Sequence, residues 1–143
     1  MRVGSVRRVI FGSPDYLRKH GYPKSPRDLH NHRFVVALPV TPTAEWRFGW
    51  DKKNTVKMDP PLVVTSIAAA IDVARSGWGL TRVLYYQIGP DLEAGTLEIV
   101  LEDDEPAPLP IHLVHVEGRR AAAKVRSFIE FAKLRLRENS ALN

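Results

Sequence analysis

The residues of this chain able to do chemistry are hydroxyls, arginines and histidines. There is no cysteine, which removes disulfides, thiolate zinc sites and thiol nucleophiles together. The five histidines are His20, His30, His32, His112 and His115. His30 and His32 fall two apart in a predicted loop. His112 and His115 fall three apart in a predicted strand and so point to opposite faces. Neither spacing builds a shared metal site. Asp28 and His32, at i and i+4, read as a structural pair rather than a catalytic dyad. The chain has no Gly-x-Ser-x-Gly elbow, phosphate loop or dinucleotide fingerprint, and Gly77-Trp78-Gly79 alone is not a nucleotide signal. No set of titratable groups assembles into an active site. The expectation is a protein that is not an enzyme and needs no cofactor or metal.

The hydroxyls carry more. The β-branched run Val63-Val64-Thr65 meets Ser66 ahead of the Ala-rich stretch Ile67-Ala68-Ala69-Ala70-Ile71-Asp72-Val73-Ala74-Arg75, and Gly77-Trp78-Gly79 follows before Leu80-Thr81-Arg82-Val83. This reads as strand, capped helix, glycine turn, strand. Either Thr65 or Ser66 can accept from the unpaired N–H groups that open the helix. Gly77 supplies the positive φ that ends it, and Gly79 permits a tight turn. Such a unit sets a helix N-terminus at the edge of a parallel sheet, where small anionic or polar ligands bind. Plain capping, worth about 1 kcal/mol, is the alternative role for both hydroxyls. Thr81 and Arg82 are expected to close the same edge. Arg82 could grip a carboxylate bidentately or be an ordinary surface arginine. Ser13 reads chiefly as a cap, and Trp78 as core in preference to cleft wall.

These groups need a frame. Residues 6–11 are a strand candidate. Ser13-Pro14-Asp15 and Ser25-Pro26-Arg27-Asp28 are two helix starts, each with a cap, a proline and an acid in the first turn. Residues 33–37 form the next strand, with a loop at 39–43. Residues 45–48 and 55–58 alternate as a hairpin, and Pro60-Pro61 breaks the chain behind it. A short helix at 84–88, a turn from Pro90 to Gly95, a strand at 96–101, an exposed acidic and Pro-rich connection at 102–110 and a strand at 111–116 follow. A terminal helix over about 121–137 places Val125, Phe128, Ile129, Ala132 and Leu136 on one face. Strands interleaved with helices make the fold α/β.

The 143 residues make about one domain. A net charge of +5 and a pI near 9.7 suggest a nucleic-acid partner. However, the basic clusters Arg7-Arg8, Lys52-Lys53 and Arg119-Arg120 are scattered, and the run Glu102-Asp103-Asp104-Glu105 interrupts any basic face. A solvated mixed-charge surface is the reading adopted. No apolar run is long enough to span a bilayer and no signal peptide opens the chain, so the expected setting is the cytoplasm, away from membranes.

The ordered motifs resemble the C-terminal effector-binding domain of LysR-type transcriptional regulators. They are Val6-Arg7-Arg8-Val9-Ile10-Phe11-Gly12-Ser13-Pro14-Asp15-Tyr16-Leu17, His20-Gly21-Tyr22-Pro23, Pro26-Arg27-Asp28-Leu29 with His32, and Trp46-Arg47-Phe48. Then come Thr65-Ser66, Gly77-Trp78-Gly79-Leu80, Gly95-Thr96-Leu97, Leu109-Pro110-Ile111-His112-Leu113-Val114 and Lys124-Val125-Arg126-Ser127-Phe128. The resemblance covers nearly the whole chain. It implies a type 2 periplasmic-binding-protein-like fold, mainly the second lobe (about 12–105), with crossing strands at 6–11 and 111–116 and the first lobe's terminal helix at 121–137. It also implies a small-molecule effector, anionic or aromatic, in an inter-lobe cleft, held by Thr65, Ser66 and Ile67 with Thr81, Arg82 and Ser13.

The family places a winged helix-turn-helix, a linker helix and the first half of lobe one ahead of the first crossing strand, near which this chain starts. The expectation is therefore a partial effector-binding domain that meets DNA only through a domain missing here and that pairs as a homo-oligomer, a dimer above all. The competing expectation is a structural or oligomerising fragment that binds no ligand.

Overall fold

Alternation over residues 8–12 sets the layering: Val9 and Phe11 face one way, Ile10 the other, and all three are buried. A strand buried on both sides needs a cover on each face. The computed structural model describes residues 1–40, 45–50, 54–57, 62–116 and 120–142. The expected loop end at 41–43, the hairpin turn with Lys52 and Lys53, the strand end at Met58, the Pro60-Pro61 break and Arg119 lie outside the described residues. In chain order the elements are β1 (Arg2–Val6), β2 (Arg8–Gly12), α1 (Pro14–His20), a 3-10 turn (Pro26–Asn31), β3 (Val35–Ala37), β4 (Glu45–Phe48), β5 (Asn54–Lys57) and β6 (Leu62–Val64). Then follow α2 (Ile67–Arg75), β7 (Thr81–Leu84), a 3-10 turn (Tyr85–Ile88), α3 (Gly89–Ala94), β8 (Glu98–Val100), β9 (Leu109–His112) and α4 (Ala123–Glu138).

These elements form two compact units, Met1–Val6 with Pro108–Asn143, and Arg7–Ala107. In the larger unit β2 lies between β7 and β8, antiparallel to both. β3 and β6 run parallel, and a single parallel bridge, Phe34 opposite Leu80, joins β3 to β7. The layer order is thus β6, β3, β7, β2, β8. One face buries Val9, Phe11 and Val83 against Ile71 and Ala74 of α2, Ile88 and Leu97. The other buries Ile10, Leu80 and Val100 against Tyr16 and Leu17 of α1, Leu29, and Trp46, Phe48 and Val56 of the β4–β5 hairpin. Trp78 is half-buried beside Val35 and Ala70, with the Arg33 guanidinium over its ring. In the smaller unit β1 pairs antiparallel with β9 and packs against α4.

Four sequence expectations are corrected. Residues 6–11 are not one strand: pairing partners change between β1 and β2, and Arg7 at the break sends its Nε and Nη2 to both carboxylate oxygens of Glu105, at 2.8 and 2.7 Å. For that reason the acidic connection is not simply exposed, since Glu105 is drawn in by Arg7. The turn expected from Pro90 to Gly95 is a helix, α3, whose Asp91 receives Nε and Nη2 of Arg75 at 2.7 and 2.8 Å. Phe128, placed by spacing on the inner face of α4, is 66% exposed, because the cover that reaches α4 meets Ile129 instead.

Asp28 accepts from the backbone N–H groups of Lys24 and Ser25, so the partner of His32 is Tyr16. The Tyr16 hydroxyl accepts from the Arg33 N–H at 3.1 Å and shares a hydrogen bond of 2.9 Å with His32 Nδ1. Burial, then the neighbouring His20, hold His32 below the ordinary value of 6.5, against a smaller opposing pull from Asp28. A histidine held below its unfolded value refuses a proton that the unfolded chain accepts. It therefore costs stability as pH falls through about 6.5. The thermal midpoint should drop between pH 7 and pH 5, and His32→Gln should flatten that dependence in melts across the same range.

Candidate functional site

The strand–helix–strand unit forms as its residues dictate, and the two hydroxyls at its start separate in role. Ser66 is the cap, accepting the Ala69 N–H on its side chain at 3.3 Å and the Ala70 N–H on its carbonyl at 3.2 Å. Thr65 is exposed, and its hydroxyl meets no protein partner among the described residues. Ile67 is half-buried against both apolar clusters on the α2 face. The first turn of α2 carries no acidic residue, so the positive end of the helix dipole is uncompensated. Gly77 takes φ 81° after the helix. Gly79 sits so close to β3 that a Cβ there would lie 2.5 Å from the Arg33 carbonyl oxygen.

The structure does not bring the other expected site residues to this edge. Register puts Val64 level with Ala37, and Arg8 level with Leu84. Thr65 and Ser66 therefore emerge at the edge where β7 ends and β2 begins. Thr81 opens β7, three residues or ~10 Å down the sheet. It is fully buried and donates to the Val35 carbonyl at 2.9 Å. Ser13 lies beyond the far end of β2, accepting the Tyr16 N–H at 3.1 Å and adjoining Gly77. The antiparallel run of β2 against β7 is the reason: the end of one strand is the start of the other. Arg82 is neither an edge residue nor a surface arginine. It alternates to the face opposite Thr81, is 4% exposed, and lies over Phe48 at 5.3 Å and Trp46 at 6.0 Å. Its Nη2 donates to the Arg47 carbonyl at 3.0 Å. Burial, then the charge of Arg8, push it down to about 10, which leaves it cationic at neutral pH.

Sequence reasoning missed Arg8. Pairing of Arg8 with Leu84 and of Ile10 with Arg82 sets Arg8 and Arg82 on one face as diagonal neighbours. Among the described residues four buried nitrogen donors have no hydrogen-bond partner: Nε and Nη2 of Arg8, Nε of Arg82, and Nε1 of Trp46 on β4. Burial, then Arg47, lower the pKa of Arg8. Unpaired buried donors cost about 1–3 kcal/mol each, more when charged. The Arg7-Arg8 doublet was the available signal, but a basic doublet does not say which member has a partner. Among the described residues no group of His, Asp and Glu side chains could hold a metal.

With this geometry in place, the sequence matches the LysR substrate binding domain over residues 1–137. The chain belongs to this family. It is 30% identical over 137 residues to the HTH-type transcriptional regulator PgrR of Escherichia coli K12, covering 93% of this chain and 46% of that protein. It is 26% identical over 129 residues to YcaN, an uncharacterised HTH-type regulator of the same strain, covering 90% and 42%. The regulatory domain of AphB from Vibrio vulnificus superposes with a TM-score of 0.80 at 23% identity, covering 94% of this chain and 67% of that one. The CrgA regulatory domain of Neisseria meningitidis gives 0.78 at 22%, covering 95% and 67%.

The LysR regulatory domains are type 2 periplasmic-binding-protein-like, and this α/β chain shares their fold. It spans less than half the length of the curated LysR-type relatives quoted. Effector binding is the family's role. No helix among the described residues is long and apolar enough to cross a membrane.

The division of labour between the hydroxyls is measurable. Ser66→Ala should destabilise the chain by about 1 kcal/mol through loss of the cap, while Thr65→Val should stay within about 0.5 kcal/mol. Denaturant titration of both variants checks this, and equal losses would contradict the assignment of Ser66 as the cap.

Proposed function

We propose that this chain is the ligand-sensing module of a bacterial LysR-type transcription regulator, and that it takes a small anionic or aromatic effector at the N-terminus of α2. The observation that carries the reading is Thr65: an exposed hydroxyl without a partner, beside a helix start with free N–H groups and no acid in its first turn. Ser66 and Ile67 flank it. Thr81, Arg82 and Ser13 are left out of the proposed site, because their hydrogen bonds and burial commit them elsewhere. In this reading residues from about 12 to 105 are the family's second lobe and 121–137 the terminal helix of its first lobe. The crossings fall at 6–11 and 111–116, where the strands are β2 and, in place of the strand expected at 111–116, the end of β9 (Leu109–His112). The effector acts by binding one state of the regulator better than another. DNA is read by a domain outside these residues, in the cytoplasm, with no catalytic step.

The module also pairs with itself. Phe128, Phe131 and Leu134 of α4 are 66%, 58% and 58% exposed. At i, i+3 and i+6 they make an apolar stripe of the kind that promotes association. The alternative, a structural fragment without a ligand, shares this face and differs only at Thr65.

In the intact regulator, Thr65→Val should weaken the response to its effector by roughly three- to tenfold, the worth of one hydrogen bond, with an unchanged melt. A thermal-shift panel of small anionic and aromatic compounds finds the effector. A variant that titrates normally would remove Thr65 from the site. Light scattering should show a dimer that Phe128→Glu shifts towards monomer; a monomer at high concentration would refute the pairing.

A further inference from the structure

Two arginines of this protein hold a carboxylate side-on. Arg7 meets Glu105, and Arg75 meets Asp91, each through the Nε–Nη2 side of the guanidinium, with every distance 2.7 or 2.8 Å. Arg8 presents the same pair of donors, both buried, with no acceptor on them. Its diagonal neighbour Arg82 has a buried Nε without a partner, and so has the Nε1 of Trp46, whose ring lies 6.0 Å from the Arg82 guanidinium; the two residues are 4% and 1% exposed. Glu105, the carboxylate that acts on Arg82, already has both oxygens on Arg7. Native proteins rarely bury such donors without an acceptor, and two neighbouring cations add a demand for negative charge. A planar anion with two oxygens matches this set of donors.

We propose that the face of β2 and β7 beneath the β4–β5 hairpin binds a small free carboxylate, held side-on by the Arg8 fork with Arg82 Nε–H and the Trp46 indole N–H as further donors. Bidentate acceptance by one guanidinium is the geometry a carboxylate matches best, and the Phe48 and Trp46 rings around Arg82 keep the ligand small. The site is separate from the start of α2. Three strand spacings, ~14 Å, lie between β2 and β6. It uses none of Thr65, Ser66 or Ile67 and does not depend on the effector reading.

The test uses sodium acetate and sodium formate against sodium chloride at equal ionic strength, with thermal midpoint and the NMR signal of the Arg8 Nε–H as readouts. Acetate and formate should raise the midpoint saturably beyond chloride, and the Arg8 signal should move with the same saturation. Arg8→Lys keeps the charge but loses the fork, and should weaken acetate at least about tenfold. Trp46→Phe should weaken it less, and Thr65→Val should leave it unchanged. If Arg8→Lys does not fold, the Arg8 signal in the unaltered chain decides. The proposal is overturned by an acetate effect no larger than that of chloride, by an Arg8 signal that stays in place at saturation, or by wild-type affinity in Arg8→Lys. Loss of the acetate response in Thr65→Val would also overturn it and move the ligand to α2. Acetate bound at Arg8 with no effector found at Thr65 would sustain this site and count only against the other reading.

Discussion

The larger unit depends on the approach of β7 to β3. Leu80 donates to the Arg33 carbonyl and accepts from the Val35 N–H, both at 2.9 Å. Gly79 has no side chain to hold the backbones apart. This one parallel bridge joins the β3–β6 pair to the antiparallel strands around β2 and makes one layer of five. Because β3 lies between β6 and β7, α2 must cross over β3 and pack on the face of Val9, Phe11 and Val83. That crossing sets the start of α2 at the edge of the sheet and its end beside Ser13. A side chain at residue 79 would part the strands, and both placements would be lost with them.

Charge follows the same frame. The unit turns two arginines into ties: Arg7 draws the acidic stretch 102–105 towards the start of β2, and Arg75 joins α2 to α3 through Asp91. Each of these ties has a solvent-exposed side, so its worth is modest. Arg8 and Arg82 differ in kind. They stand on the same face. Burial lowers the proton affinity of both, with Arg47 adding to the effect on Arg8 and Arg8 to that on Arg82, which lies against the Phe48 and Trp46 rings. Adjacent residues, Arg7 and Arg8, thus have opposite situations, because successive side chains of an extended chain leave on opposite sides.

Membership of the LysR family and the type 2 periplasmic-binding-protein-like fold agree with this arrangement. The edge at the start of α2 carries an exposed threonine, a capped helix start and no local acid, while Thr81, Arg82 and Ser13 are buried away from it.

By itself the sequence determined the α/β class, both proline-led helix starts, the hairpin strands, the helix over residues 67–75 and the family, since each rests on local spacing, capping chemistry or motif order. It also marked Thr65 and Ser66 as the pair to watch. Only the tertiary structure decided between them, because either oxygen can reach a helix N–H and the choice turns on one residue of strand ending. Tertiary structure alone put Ser13 and Thr81 far from that edge, since strand direction cannot be read from a run of apolar residues. It alone buried Arg82 and left Arg8 without a partner. Burial and pairing depend on which strands become neighbours, and here the strands that become neighbours are distant in the chain.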